Sequence, residues 1–199
     1  MGAYSGQDSS GNDTTAVGAG AFMRGNGSNN AIIGAYSGAA IAGNRNVLVG
    51  AHILDDPSVT VTLNDAVIIG YGANASGNST TSTILGSNTY SDGSMNVVIG
   101  KDAAAEGNNA VVIGAQASGT GEDTTVVGAA SSATGDGTTV MGSNVTSDGT
   151  MNVLVGKDAS GSGNNAVVIG AQASGTGEDT TVVGAASSAT GDGTTVMGS

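Results

Sequence analysis

The feature that most constrains the fold is a short apolar run that ends in glycine and returns at a nearly fixed spacing. Residues 108–114 read NNAVVIG, and most of the chain repeats variants of this stretch. The spacing between successive run-ending glycines is 16, 16, 20 and 16 residues and then 14 residues throughout. Such a period indicates that each repeat is one structural unit, which stacks on its neighbours because it cannot bury its apolar face alone. We expect a structural turn glycine at each end, namely at Gly18, Gly34, Gly50, Gly70, Gly86, Gly100, Gly114, Gly128, Gly142, Gly156, Gly170, Gly184 and Gly198.

The repeat predicts one repeat domain over residues 1–199, degenerate over 1–86 and regular over 87–199. Residues 51–66 form the longest connection and contain the chain's single His and single Pro, so we expect an inserted loop there. Within it, the alternating segment 59–63 (VTVTL) predicts an extra strand or hairpin arm. Residues 107–143 recur unchanged as 163–199, which is typical of a shaft lengthened by copying and not of an enzyme active site.

The length of the period favours a flattened roll. Fourteen residues at about 3.3 Å each trace roughly 46 Å, enough for two short strands and two turns. Glycine at the strand end supplies the positive φ or close approach that a tight corner needs. Asn, Asp, Ser and Gly supply the opposite corner. The sequence therefore predicts an all-β fold, a parallel β-solenoid of 14-residue coils with some of 16–20 residues.

The three residues before each glycine predict self-association. In residues 111–113, Val112 points away from Val111 and Ile113, yet all three are apolar. A strand that is apolar on both faces is covered on both, so one face lines the interior and the other needs a second cover. Parallel copies of the same chain are the simplest cover, and the period leaves open which face meets them. The predicted core or inter-chain contact residues are Val98, Val111, Val112, Ile113, Val126, Val140, Leu154, Val168 and Val182.

Charge and composition argue against several partners. Sixteen acidic residues against four basic ones give a net charge of -12, so we expect no nucleic acid partner and no contact of this segment with an anionic membrane. The chain has no Cys and no apolar run near the roughly 20 residues of a membrane helix. It opens and stops within a repeat, so we expect a fragment of a longer fibre whose export signal and anchor lie elsewhere.

Several segments resemble a known family. Residues 94–100 (SMNVVIG), 108–119 (NNAVVIGAQASG) and 124–128 (TTVVG) are similar to the YadA-like head repeats of trimeric autotransporter adhesins, which have the form NSVAIG followed by small residues at alternate positions. The resemblance implies a left-handed parallel β-roll, a parallel homotrimer, and adhesion to a host or other surface through a protein or glycan ligand. It also implies an extracellular location on a bacterial outer-membrane-anchored fibre. Similar repeats occur in phage tail fibres, so a receptor-binding shaft on a virion tail is the alternative.

The inserted loop supplies one candidate site. His52, Asp55 and Asp56 form a candidate ligand loop, and imidazole with carboxylates would suit a divalent metal. With no second His in the chain, solvated loop residues are the favoured interpretation.

Acidic residues at equivalent positions in consecutive coils supply a second candidate metal site. Stacked carboxylates about 5 Å apart repel, and a bound Ca²⁺ would relieve that repulsion. The favoured alternative is an exposed edge screened by water and salt, so we expect no cofactor. The calcium candidates are Glu122, Asp123, Asp136, Glu178, Asp179 and Asp192.

We predict a non-enzymatic structural or adhesive fibre segment, because no base is placed to activate any of the many hydroxyls. An ice-binding β-solenoid is a competing hypothesis, since rows of Thr on a flat sheet could order water. Thr precedes the glycine by three residues in only some coils, and Val153 and Val167 interrupt the row. Those coils carry Thr125, Thr139, Thr181 and Thr195.

Overall fold

The computed structural model describes residues 2–56, 58, 60–76 and 79–198, and it divides into two compact units, Met1–Asp102 and Ala103–Ser199. Every strand pairing within either unit is parallel, between strands one coil apart. A coil here means the stretch from one run-ending glycine to the next. The predicted all-β parallel solenoid of 14-residue coils is confirmed, and the described residues contain thirteen glycine-terminated strands.

The first unit carries six of these strands in one sheet, which we call its wide sheet: β1, β2, β4, β6, β8 and β10. The remaining strands pair as β3 with β5 and as β7 with β9. In chain order the described strands of this unit are β1 (Thr15–Val17), β2 (Ala31–Ile33), β3 (Ile41–Ala42), β4 (Val47–Val49), β5 (Val61–Thr62), β6 (Val67–Ile69), β7 (Asn74–Ser76), β8 (Thr83–Leu85), β9 (Tyr90–Asp92) and β10 (Val97–Ile99).

The second unit consists of two facing sheets. Its wide sheet contains the even-numbered strands β12 to β24, and its narrow sheet contains the odd-numbered strands β11 to β23. The register shifts by one coil each time, so Val112 pairs with Val126. In chain order the described strands are β11 (Ala104–Glu106), β12 (Val111–Ile113), β13 (Ser118–Gly119), β14 (Thr125–Val127), β15 (Ser132–Ala133), β16 (Thr139–Met141), β17 (Thr146–Ser147), β18 (Val153–Val155), β19 (Ser160–Gly161), β20 (Val167–Ile169), β21 (Ser174–Gly175), β22 (Thr181–Val183), β23 (Ser188–Ala189) and β24 (Thr195–Met197).

The core of the second unit is a thin layer in which large side chains face small ones. The middle residue of a wide-sheet strand, such as Leu154, is fully buried. The opposing narrow-sheet strand presents Gly161, where an added Cβ would lie only 3.1 Å from Cδ1 of Leu154. Gly119 faces Val112 in the same way at 3.0 Å. Glycine, alanine and serine in the narrow sheet thus leave the room that Val and Leu of the wide sheet fill at interior density.

Each regular coil has two similar halves of seven residues. Gly114 and Gly121 start the halves of one coil, and the second residue after each, Gln116 and Asp123, has a positive φ of 59° and 54°. The narrow-sheet corner is therefore built like the wide-sheet corner. From Gly100 to Gly198 a glycine stands at every seventh residue, and the fourteen-residue period conceals this signal.

The run-ending glycines lie where consecutive coils approach most closely. All thirteen have φ between +133° and +151°. At Gly128, with φ of +149°, an added Cβ would lie 1.7 Å from the carbonyl oxygen of Gly142 in the next coil. No other residue has room for its side chain there.

The insertion at residues 51–66 is only partly a surface loop. Its strand β5 pairs in parallel with β3, through Ile41 with Val61 and Ala42 with Thr62, so this part is an added strand and not a hairpin arm. Ile53 and Leu63 are fully buried in the core of the first unit. Residues 57 and 59 of the insertion lie outside the described residues.

Replacement of Gly128 by alanine tests the close approach of the coils. Gly128→Ala should lower the free energy of unfolding well beyond the roughly 1–3 kcal/mol that a sparsely populated backbone conformation alone costs, because its Cβ would overlap the Gly142 carbonyl. The matched control is Gly198→Ala, which has nearly the same φ (+145°) but meets nothing within 4 Å. Urea unfolding followed by circular dichroism measures both, and equal losses would contradict the close-approach argument.

Candidate interaction surfaces

The outer face of each wide sheet carries rows of apolar side chains. In every wide-sheet strand the middle residue faces the interior, and the residues on either side of it face outward. The residue directly before the run-ending glycine is aliphatic or Met in all thirteen wide-sheet strands. Because the coils stack in register, these residues form one continuous row on the outer face of each unit's wide sheet.

The predicted core or inter-chain residues divide between the two faces. Val111 and Ile113 lie half-buried on the outer face of the wide sheet. The other seven are fully buried middle residues: Val98, Val112, Val126, Val140, Leu154, Val168 and Val182. The structure thus assigns the interior to the side of Val112 and leaves the side of Val111 and Ile113 without a cover in the single chain.

Three rings lie together at one corner of the first unit. The ring centroids of Tyr36 and His52 are 5.6 Å apart with planes inclined at 23°, and those of His52 and Tyr71 are 5.5 Å apart with planes at 64°. Tyr36 and Tyr71 are 52% and 60% exposed. We call Tyr36, His52 and Tyr71 the aromatic cluster. The sequence reasoning missed it, because variable coil lengths hide the register that brings these residues together.

The predicted ligand loop brings an acidic group to this cluster. Asp55 Oδ2 lies 2.8 Å from Nδ1 of His52, and both side chains are exposed. The carboxylate of Asp56 accepts hydrogen bonds from the hydroxyl and backbone N–H of Ser58, which lower the pKa of Asp56 below its usual value. Across residues 2–56, 58, 60–76 and 79–198, no three His, Asp or Glu side chains gather as a metal-binding group.

The calcium candidates act as hydrogen-bond acceptors between coils. The Asp136 carboxylate accepts from the backbone N–H of Glu122 at 2.8 Å, and Asn109 donates to Asp123 at 3.0 Å. In the duplicated coils Asp192 and Asp179 accept in the same way from Glu178 N–H and Asn165. Donors on neighbouring coils therefore face these carboxylates.

Buried asparagines join consecutive coils of the first unit. The backbone N–H and the side-chain amide of Asn46 both donate to Oδ1 of Asn30 at 3.0 Å, and the same amide donates to the Leu63 carbonyl at 3.0 Å. These contacts satisfy buried polar groups and so stabilise the stack. The sequence signal is an Asn four residues before the run-ending glycine, a position that the apolar triplet does not include.

The outer face of the narrow sheet carries two rows of hydroxyl groups, which the sequence reasoning also missed. Ser132 is in register with Ser118 on one side and Thr146 on the other. A second row runs two residues further along each strand, where Thr120 and Thr134 are exposed. The twelve positions, six that begin the strands β13 to β23 and six that directly follow them, are Ser118, Thr120, Ser132, Thr134, Thr146, Asp148, Ser160, Ser162, Ser174, Thr176, Ser188 and Thr190, and among these Asp148 alone has no hydroxyl.

The Thr residues that suggested ice binding from the sequence lie on the wide sheet. Thr139 is in register with Thr125 and with Val153, and Val153 pairs with Val167. On the outer face of the wide sheet the hydroxyls are therefore interrupted by Val, as the sequence predicts.

Comparison with known families gives a match over part of the chain. A family model described as the YadA head domain repeat matches residues 97–117, 120–144 and 176–199. These three segments of the chain match YadA head repeats. In the matched segments the glycine-terminated runs are the wide-sheet strands, and the small residues after the glycine form the glycine corner and the narrow-sheet strand. A search of curated proteins finds no match to the chain.

YadA head repeats belong to a structural, adhesin-type family, and in that family they form surface-exposed segments. Over the part of the chain that the structure describes, no helix has the length and apolar character to cross a bilayer.

An ion pair joins two coils of the first unit at the surface. Arg45 Nε and Nη2 donate to Oδ1 and Oδ2 of Asp65 at 2.6 and 2.7 Å, one coil apart. Both side chains are exposed, so the pair stabilises the fold only modestly. The guanidinium lowers the pKa of Asp65 and, through the same hydrogen bonds, Asp65 raises the pKa of Arg45.

The pair predicts a direction for acid stability. Since the pKa of Asp65 is lower in the folded state than in the unfolded chain, its contribution is present above the ordinary aspartate pKa of about 3.9 and is lost as pH falls through the folded value. Asp65→Asn should therefore melt below the wild type at neutral pH, and this difference should vanish toward pH ~2. Carbon NMR titration of Asp65, with Arg45→Gln as the control that restores the ordinary pKa, measures the cause directly.

Proposed function

We propose that this chain is a non-enzymatic segment of a surface fibre, in which three parallel copies associate through the outer faces of their wide sheets and the corners attach to another surface. The observation that carries the proposal is the unbroken row of aliphatic or Met side chains before the run-ending glycines. A row with one apolar side chain in every coil can be covered along its length by a partner with the same repeat, and a second copy of the chain is such a partner.

Exposure of apolar side chains supports this assembly. Ile33 and Ile169 are 47% and 40% exposed on the outer faces of the two wide sheets, although both are aliphatic. Soluble monomers rarely leave contiguous apolar patches of this kind in water. Among the described residues, the large apolar side chains exposed on these faces are Val17, Ile33, Val47, Ile69, Met141, Val153, Ile169 and Met197.

The number three comes from the likeness to YadA head repeats. Three identical chains around one axis close the assembly by cyclic symmetry and place the narrow sheets and corners in solvent. These exposed corners, including the insertion at 51–66, would then contact a host or other surface. The fibre would stand on a bacterial cell surface or, as the alternative, on a phage tail.

The assembly is tested by mass. Multi-angle light scattering of the purified chain should give three times 18.7 kDa. The double variant Ile33→Glu/Ile169→Glu should dissociate it, because charges would be buried at the interface. The matched control, Asn74→Glu/Ser174→Glu, places the same charges on outward strand positions of β7 and β21 and should leave the mass unchanged. A wild-type monomer at micromolar concentration would refute the trimer.

Attachment is tested separately with microspheres. Spheres coated with the protein should be retained under flow on at least one coating from a panel of matrix proteins and neutral glycans. Spheres coated with serum albumin, another acidic protein, are the control for non-specific retention. Retention no greater than that of the control on every coating would contradict the adhesive function while leaving the trimer untouched.

The hydroxyl rows of the narrow sheet favour a second function, the ordering of water at an ice surface. Neighbouring strands lie about 4.8 Å apart and alternate residues of one strand about 6.7 Å apart, so the rows form a regular two-dimensional array of donors and acceptors. Some of these hydroxyls already bond along the sheet, as Ser160 Oγ does to Ser174 Oγ at 3.2 Å. This array, and not the Thr residues of the wide sheet, would meet the ice.

Ice binding predicts crystal shaping and freezing hysteresis that depend on the narrow sheet. Thr134→Lys/Ser160→Lys should abolish both, because two long charged side chains would interrupt the array. The control is Ala129→Lys/Ala171→Lys, which adds the same charges at exposed corner positions. Hysteresis that is absent in the wild type, or equal in the two variants, would exclude this second function.

A further inference from the structure

The aromatic cluster distinguishes one corner of the first unit from the corners of other coils. The whole chain has four Tyr, one Phe, one His and no Trp. Half of these rings meet at one corner, and the tyrosines among them are exposed. A corner that served only to turn the chain would need none of them, since Asn88 and Asp102 occupy the same position in later coils of the unit.

The backbone holds two of these rings in a conformation that large side chains seldom adopt. Tyr36 and His52 each stand two residues after a run-ending glycine, with φ of 53° and 58°. Their backbone N–H groups donate to the carbonyls of Ala19 and Ala35 at 2.8 and 3.0 Å, which fixes the backbone of both residues to the stack. The same positive φ recurs at the corners of other coils, so it is the ordinary corner geometry, and this corner differs only in the rings that it carries.

The cluster is rimmed by negative charge. Asp55 hydrogen-bonds His52, and Asp56 follows it in the chain. No Lys or Arg occurs in the corner segments 34–40, 50–56 and 70–74, and the chain as a whole carries a net charge of -12. The corner therefore combines exposed aromatic rings with two exposed carboxylates, a surface whose field attracts cations and repels anions.

We propose that Tyr36, His52, Tyr71 and Asp55 form a binding surface for basic side chains of a partner protein. A guanidinium or ammonium group is attracted by the face of an aromatic ring and by a nearby carboxylate. Tyr is also well suited to a contact surface, since it offers a large rigid area at low conformational entropy cost. The proposal names the partner class for the attachment proposed above and rests on that function.

Peptide binding tests the proposal on the intact chain. The probe is a capped peptide that alternates glycine and arginine, and its matched control has citrulline, which is neutral and of the same shape, in place of each arginine. Chemical shift changes in the aromatic cluster should report binding of the arginine peptide and little or none of the citrulline peptide. Equal binding of both peptides would overturn the proposal.

Variants distinguish the contribution of the aromatic rings to peptide binding from that of the overall net charge. Tyr36→Ala/Tyr71→Ala should weaken binding of the arginine peptide about fivefold to tenfold, whereas Tyr36→Phe/Tyr71→Phe should retain it. Asp55→Asn should weaken binding more than Asp148→Asn, which makes the same change of net charge in the second unit. An equal effect of the two Asp variants would reduce the interaction to non-specific charge attraction and overturn the site.

A neutral oligosaccharide, maltohexaose, is the competing probe. Binding of maltohexaose, but not of the arginine peptide, that is lost in Tyr36→Ala/Tyr71→Ala would assign the cluster to glycans instead and overturn the basic-partner proposal. Melting temperatures of all variants confirm that each still folds. Light scattering on the same samples distinguishes a failed site from a failed trimer, because the cluster lies on a corner and not on the wide sheet.

Discussion

The structure depends on one interaction, the backbone hydrogen bonding of each coil to the next in strict register. Val111 N–H donates to the Thr124 carbonyl and Thr125 N–H to the Thr138 carbonyl, each at 2.8 Å. Parallel strands at this spacing bring corner carbonyls so close that only glycine fits between them, as at Gly128. The strand pairing therefore requires glycine at each of these corners, and this is why glycine recurs once per coil.

Register turns single residues into rows, and every surface considered for function is such a row. The residues before the glycines form a row of aliphatic or Met side chains, and alternate residues of the narrow sheet form rows of hydroxyls. Corner residues form ladders of carboxylates and amides. The aromatic cluster arises in the same way from Tyr36 and His52, at equivalent positions of consecutive coils. The proposed interaction surfaces are thus formed by equivalent residues of stacked coils.

Much of this follows from particular residues. The apolar character of Val111, Val112 and Ile113 together predicts a strand covered on both faces, and the structure has Val112 buried and its neighbours facing out. The opposite corner was predicted only as a polar turn, yet it repeats the glycine corner at half the period. The buried Asn30 and Asn46 were missed because an Asn in a polar turn looks the same in sequence whether it faces water or a carbonyl of the next coil.

By itself, the sequence determined the coil length, the glycine corners and the two-faced apolar strand, since these depend on local geometry and on alternation along a strand. Tertiary structure alone decided which face is interior, because that depends on the small residues Gly119 and Gly161 of the opposing sheet. It also decided that Tyr36, His52 and Tyr71 meet and that Ile53 and Leu63 of the insertion are buried. In the first unit the coils differ in length, so residues become neighbours through the register of stacked strands and not through their separation along the chain.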